Sequence, residues 1–335
     1  MRRKWLMLLA GLLVVIALSA CGTKSQGDVT KELSEKLEEI KSYKSKAKMT
    51  LQMGTEPQTY DIEVWHKEPM YYRVDLKNAQ KDQSQMILRN DEGVFVLTPA
   101  LNKSFKFQSE WPKNSSQAYL YESLIKDIID DKEAKFQATK QHYIFETKTK
   151  YQNNQMLPTQ EITLKKSDLS PVSVKVMDTD RNALVTVEFT DMKFNASLDK
   201  KEFDMQKSRT SAQIEVPVMT EIADEEFSVK YPAEIQGIDL IDQKEIKTED
   251  GKRVVLTFGG EKSFTLIQEK AEVMPASSLT TMSGEPVDLG FTIGALSNNS
   301  ITWTYQGVDY MIASNDLSEE EMTSIARSVQ GNIVK

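Results

Sequence analysis

The residue whose type and setting point most directly to chemistry is the one cysteine of the chain, Cys21, which follows Leu18-Ser19-Ala20 and precedes Gly22. Arg2, Arg3 and Lys4 make a basic start, Trp5 to Leu18 is an unbroken apolar run, and small residues then lead to the thiol. That order is the pattern of a secretory signal peptide with its cleavage site. The apolar run falls short of the roughly 20 residues that a membrane span needs. Other reactive groups are sparse. His66 and His142 sit in stretches of strand-like alternation, and without a cysteine partner they cannot make a four-ligand structural zinc site. No Gly-x-Ser-x-Gly, no glycine-rich phosphate loop and no His-Glu-x-x-His occurs. Gly259-Gly260 reads as a turn, and the acids Asp130-Asp131 and Glu319 to Glu321 fall where helix ends favour them. The expectation is therefore a protein that is not an enzyme, with no catalytic residue, no metal and no cofactor. An envelope-polymer hydrolase is a distant alternative for which no nucleophile can be named.

Leu18-Ser19-Ala20-Cys21 resembles the bacterial lipobox, whose cysteine receives a diacylglyceryl group on its thiol and becomes the first residue of the mature protein. The resemblance implies a signal peptide over residues 1–20, a lipidated tether over 21–27, and a location on the extracytoplasmic face of the cell membrane. Burial of an acyl chain contributes about 0.8 kcal/mol per methylene, so two or three chains hold the protein there. The polar stretch Gly22 to Gly27 reaches only about 20 Å when extended, which keeps the folded body close to the bilayer. Residues 1–20 carry three cations and no acid, so their removal takes the formal charge from -8 to -11. Such an acidic chain argues against nucleic acid as a partner. It also argues against electrostatic docking on anionic lipid, leaving the acyl anchor to hold the protein in place.

The remaining chemistry is apolar. Met49, Met53, Met70 and Met86 fall within the first run of strands, and methionine repacks readily around irregular ligands. The residues expected to line a greasy pocket are Met49, Leu51, Met53, Tyr72, Val74, Met86, Leu124 and Ile128. A methionine on the inner face of a sheet is also ordinary core filler, and that simpler reading stands beside the first.

The elements that must position these residues follow from periodicity. Val29, Leu33, Leu37 and Ile40 recur at helical spacing. Strand alternation is clear from Ala47 to Met53, Tyr60 to Trp65 and Tyr72 to Leu76, and Asn90-Asp91-Glu92-Gly93 turns a hairpin. Leu120, Tyr121, Leu124, Ile125, Ile128 and Ile129 make a broad helical stripe, capped by Ser115 or Ser116, that should plug or cover the sheet. Strands resume at Tyr143–Thr149, Gln160–Leu164, Pro171–Met177 and Leu184–Thr190. Helix, strands, helix, strands describes an α+β open sheet curled around helices. Gln206 to Ser211 reads as a linker, with a domain boundary near 215. A second domain follows, with strands at Arg253–Phe258, Ser263–Gln268, Ser300–Tyr305 and Val308–Ala313. It ends in a helix capped by Ser318 and Glu321.

On the helix ending near Tyr43, the KAKMTLQM strand, the VWHKEPMYYRVDL segment and the NDEGVFVLTP hairpin, the region from Asp28 to Ser211 resembles the LolA, LppX and RseB superfamily. It is nearest to lipoproteins of endospore formers described as sporulation or germination proteins. The run ITWTYQGVDYMIASNDLSEEEMTSIARSVQ resembles a domain of unknown function that ends membrane-associated proteins of the same bacteria. The resemblance implies a LolA-like unclosed antiparallel β half-barrel covered by helices over residues 28–212, followed by a smaller α+β domain over 216–335. It further implies a membrane-anchored protein that binds a lipid, an acyl chain or a lipoprotein during envelope or spore assembly. The alternative is an RseB-like regulator that meets an envelope protein partner.

Overall fold

The computed structural model describes residues 24–52, 57–78, 84–107, 109–112, 117–150, 157–215, 227–233, 235–248, 251–273, 279–282 and 284–329. Cys21 and Met53 lie outside the described residues.

Helix α1 (Gln26–Glu39) starts at Ser25, whose hydroxyl accepts from the Asp28 N–H while the Asp28 carboxylate accepts from the Ser25 N–H. This reciprocal cap satisfies donors that a helix start leaves free. Six strands follow: β1 (Ser42–Leu51), β2 (Gln58–Lys67), β3 (Tyr71–Asn78), β4 (Ser84–Asn90), β5 (Gly93–Thr98) and β6 (Lys103–Phe107). After α2 (Tyr121–Asp130) come β7 (Lys135–Ala138), β8 (His142–Lys148), β9 (Thr159–Lys165), β10 (Pro171–Met177) and β11 (Ala183–Phe194). The hydrogen-bonded order is β6-β5-β4-β3-β2-β1-β11-β10-β9-β8-β7, antiparallel throughout, and β6 and β7 do not pair with each other. The sheet is therefore an open half-barrel, and a bulge at Lys46/Ala47 interrupts its central β1–β11 ladder, as expected where a sheet bends.

Alternation decides which side chains face inward. Tyr43, Ala47, Met49 and Leu51 of β1, Tyr60, Ile62 and Val64 of β2, and Tyr72, Val74 and Leu76 of β3 pack on α1 and α2 in one buried cluster. From the helices, Val29, Leu33, Leu124, Ile125 and Ile128 complete it. The outer face carries a second, smaller cluster of Tyr71, Met86, Leu88, Phe95 and Leu97. It is covered by Leu198, Phe203, Met205 and Ala212.

Beyond the half-barrel, α3 (Met205–Glu215) leads to a seven-stranded antiparallel sheet in the order β12-β13-β14-β19-β18-β17-β16. Its strands are β12 (Ile238–Thr248), β13 (Gly251–Gly260), β14 (Phe264–Lys270), β16 (Glu285–Asp288), β17 (Ile293–Ser297), β18 (Ser300–Tyr305) and β19 (Val308–Ala313). Helix α4 (Glu319–Ser328) buries Met322, Ile325 and Ala326, and its Ser318–Glu321 cap forms as the sequence predicts. Strand β15 (Leu279–Met282) leaves this domain and adds to the half-barrel as the parallel neighbour of β6. The half-barrel's sheet thus ends in a strand from the C-terminal part of the chain, and one core cluster runs through both sheets.

Several expectations change. Residues 206–211 are helical: the Asp204 carboxylate accepts from the Lys207 N–H at the start of α3, and Met205 and Ala212 pack into the outer cluster. Helix α2 starts at Tyr121 with Leu120 as its cap and no capping side chain, while Ser115 and Ser116 lie outside the described residues. Met86 points to the outer cluster, away from the helices, because neighbouring side chains of a strand face opposite ways and Ile87 takes the inner side.

Candidate functional site

The residues expected to line a pocket are packed core. Met49, Leu51, Val74, Leu124 and Ile128 are each no more than 3% exposed, and Tyr72 is 8% exposed. Tyr72 borders a cavity of only 140 Å³, shared with Met70, Arg89, Glu122, Lys126 and Lys150. Met49 borders one of 20 Å³. Among the described residues the concave face is packed with its own side chains.

At its centre lies a polar cluster that the sequence did not single out. Tyr43 donates to Glu122 Oε2 at 2.8 Å, Tyr72 donates to Glu122 Oε1 at 3.3 Å, and His66 Nε2 lies 2.9 Å from the same Oε1. The other ring nitrogen of His66 faces the Tyr71 carbonyl at 3.1 Å. The four side chains come from β1, β2, β3 and the first turn of α2, so the cluster fastens the helix to three strands. Burial pushes the Glu122 carboxyl up. The His66 hydrogen bond and charge, helped by Tyr43, more than offset that and hold it below the usual range. Burial also pushes both tyrosine hydroxyls up. Among the described residues no group of three His, Cys, Asp or Glu could hold a metal ion.

A larger space lies between the domains. A cavity of 480 Å³ is bounded by Val96, Phe105 and Phe107 of the half-barrel, Met282 of β15, and Ile267, Ile293 and Met311 of the second sheet. Cavities of a few hundred cubic ångströms with apolar walls, set at domain interfaces, are where small ligands bind. Its charged lining residues are engaged within the protein, whereas the indole N–H of Trp303, another lining residue, is buried without a partner among the described residues. Lys103 Nζ lies 2.7 Å from Asp309 Oδ2, and Asp309 also accepts from the Thr304 hydroxyl. Arg253 pairs with Glu269 at 2.6 Å, and Gln85 Oε1 accepts from the Ile293 N–H at 3.0 Å. A ligand there meets mainly hydrocarbon, and the two methionines can adjust to its shape.

Three further contacts lock the domains around this space. Tyr119 donates to Asp288 Oδ2 at 2.9 Å, the Tyr60 and Tyr305 hydroxyls meet at 3.3 Å, and Tyr305 donates to Gln58. Asp288 is half-buried, and desolvation pushes its carboxyl up, with the Gly290 N–H, Arg327 and Tyr119 opposing. None of the lining residues was legible as a site, because they come from strands far apart in sequence that meet only when the second domain docks.

Among the described residues no helix is long and apolar enough to cross a membrane. In comparison with known proteins, residues 2–203 match the model of the family described as sporulation protein YdcC-like. The whole chain is similar to sporulation protein YdcC of Bacillus subtilis, with 57% identity over 335 residues, covering 100% of this chain and 99% of that protein. Among solved structures it is similar to Pseudomonas aeruginosa MucB in its complex with MucA. There the identity is 13%, the coverage 90% of this chain and 98% of that one, and the TM-score 0.32. It is also similar to a LolA superfamily protein of Nitrosomonas europaea, at 12% identity over 53% of this chain and 98% of the other, with a TM-score of 0.30. The family model spans most of the half-barrel and the identity extends over the full length, so the chain belongs to the YdcC-like sporulation proteins.

Proposed function

We propose that this chain is a membrane-anchored, extracytoplasmic, non-catalytic binding protein of the sporulating cell, held by acylated Cys21, and that its cargo is an acyl chain of a lipid or lipoprotein. The observation that supports the cargo is the 480 Å³ cavity between the domains, with apolar walls and with its charged lining residues paired to one another. This moves the binding place away from the residues expected from sequence, since the half-barrel interior is occupied by its own core. About ten buried methylenes would contribute roughly 8 kcal/mol before the entropy of binding is subtracted. Native mass spectrometry of the detergent-released protein tests the reading. Co-purifying lipid is expected, and Met311→Trp, which fills the cavity, should remove most of it. Unchanged lipid retention in that variant would refute the placement.

A second reading, a surface for a protein partner, has its own observation. Among the described residues strand β12 makes its ladder with β13 alone, and it carries three of the exposed large apolar residues, Leu240, Ile241 and Ile246. An unpaired edge with exposed aliphatic side chains is a template for strand addition by another protein.

A further inference from the structure

We propose that β12 is the seat of a symmetric dimer, in which the edge strands of two copies of this chain pair antiparallel; the proposal rests on the reading of β12 as a surface for strand addition. Among the described residues, three of the four exposed large apolar side chains, Leu240, Ile241 and Ile246, lie on this one strand. Every residue of β12 after Ile238 is exposed, so its free edge is open along its length.

The β13 register decides which side chains share a face. Leu240, Gln243 and Glu245 stand opposite Phe258, Leu256 and Val254, the side chains that β13 buries. Asp242, Lys244 and Ile246 stand opposite Thr257, Val255 and Arg253, on the other face. A bulge between Leu240 and Asp242 adds one residue, Ile241. A Cβ on Gly259 would overlap the Ile241 side chain, which places Ile241 on the face of Asp242.

Those faces make the strand complementary to its own reverse. With a two-fold axis at Gln243, the central pairs are Gln243 with Gln243 and, twice, Asp242 with Lys244 of the second copy. Within one chain Lys244 Nζ already lies 3.2 Å from Asp242 Oδ2. Two such pairs brought together close a ring of four charges of alternating sign, and opposite charges set across a ladder are favourable. Beyond the ring the bulge turns Ile241 to the same face, beside Ile246 of the second copy, so an apolar contact closes each end. Asp239 falls diagonally to Lys244 of the second copy, and Glu245 lies on the opposite face, 4.0 Å from Lys252 of β13. An axis at Asp242, Lys244 or Glu245 would set like charges against each other. One at Ile246 would leave Leu240 and Ile241 beyond the end of the second strand, because β12 stops at Thr248. Charges and bulges on an edge guard it against unrelated strands. Here a second copy supplies the charge order that they demand, and the two seven-stranded sheets join into one.

The test uses the full-length chain in mild detergent, with Cys21 kept in every variant so that the parent is the blank for cross-links through Cys21. Under copper phenanthroline, Gln243→Cys should give a disulfide-linked dimer, since directly opposed residues of an antiparallel pair lie about 4.5–5.5 Å apart. Lys247→Cys should not, because at about 3.4 Å per residue its two copies stand about 27 Å apart. Asp242→Lys or Lys244→Asp, each carried with Gln243→Cys, should cut the cross-linked fraction several-fold by making the ring four like charges. An equimolar mixture of the two should restore it. A Gln243→Cys chain that cross-links no more than Lys247→Cys, or charge variants that do not fall alone and recover when mixed, overturns the dimer. A photocrosslinker at position 243 in sporulating cells separates the two readings. Adducts of twice the chain's mass support the dimer; adducts of other masses alone leave β12 as a partner surface and overturn its self-pairing; no adduct refutes both.

Discussion

Replacing Glu122 by alanine should loosen the half-barrel more than any surface change. The carboxylate accepts from Tyr43 and Tyr72 and pairs with His66, and removing it leaves three polar groups in a buried site with one missing partner. Breaking a buried pair from one side costs about 3–5 kcal/mol. For a unit of this size that corresponds to a fall in Tm of about 6–20 °C. Glu122→Gln keeps an acceptor of the same shape and loses the charge, so its cost should be smaller, about 1–2 kcal/mol. Calorimetry at neutral pH checks both values. The sign of the pH dependence follows from the carboxyl being held below its usual range. Its contribution is fully present above the unfolded value of about 4.3 and fades as pH falls through the lower folded value. The gap between parent and Glu122→Ala should therefore narrow in acid. An alanine variant within about 1 kcal/mol of the parent at pH 7 would refute the idea that this cluster fastens α2 to the sheet.

Glu146 offers a milder acid test. Bidentate Arg181 first, then Lys135, hold its carboxyl down to about 2. Its stabilising effect is complete above the unfolded value and lost as pH falls toward 2. At this solvated rim about 1 kcal/mol is expected, and Arg181→Ala should flatten the acid limb of a urea-unfolding series by that amount. On β12, Ile241→Lys with Ile246→Lys should leave Tm within about 2 °C, since both side chains are exposed. The same pair should abolish photocrosslinks formed from position 243 in sporulating cells; crosslinks that persist would dismiss the edge as a partner surface.

What was legible in the sequence depended on how local the cause was. Strands β1 to β3 and β8 to β11 carry their own alternation, β4 and β5 flank the Asn90–Gly93 turn, and α4 has its own cap, so single stretches announce them. Strand β12 does not, because no face of it is buried and its conformation comes from the β13 ladder. Strand β15 is four residues long and exists as a strand only against β6, far away in sequence. The polar cluster failed for the same reason. His66 continues the inward phase of Tyr60, Ile62 and Val64, but its partner Glu122 comes from α2, far away in sequence, so no single stretch shows the pair. Met49, Leu51, Tyr72 and Val74, expected to line a pocket, do face inward, and inward means core once two helices pack on the concave side.

The filled concavity changes where exchange of cargo would take place. A half-barrel that admits a ligand beneath its helices must move α1 or α2, and here the Glu122 cluster opposes that movement. The space between the domains is closed differently, by β15 lying against β6, by Lys103 reaching Asp309 and by Tyr119 reaching Asp288. An occupant of that space touches both domains at once. Its affinity for the docked arrangement therefore adds to these contacts, and by linkage the contacts raise its affinity in return. With the proposed cargo in that space, its binding and domain docking would form one equilibrium, and whatever pulled the second domain away from β6 would also release it.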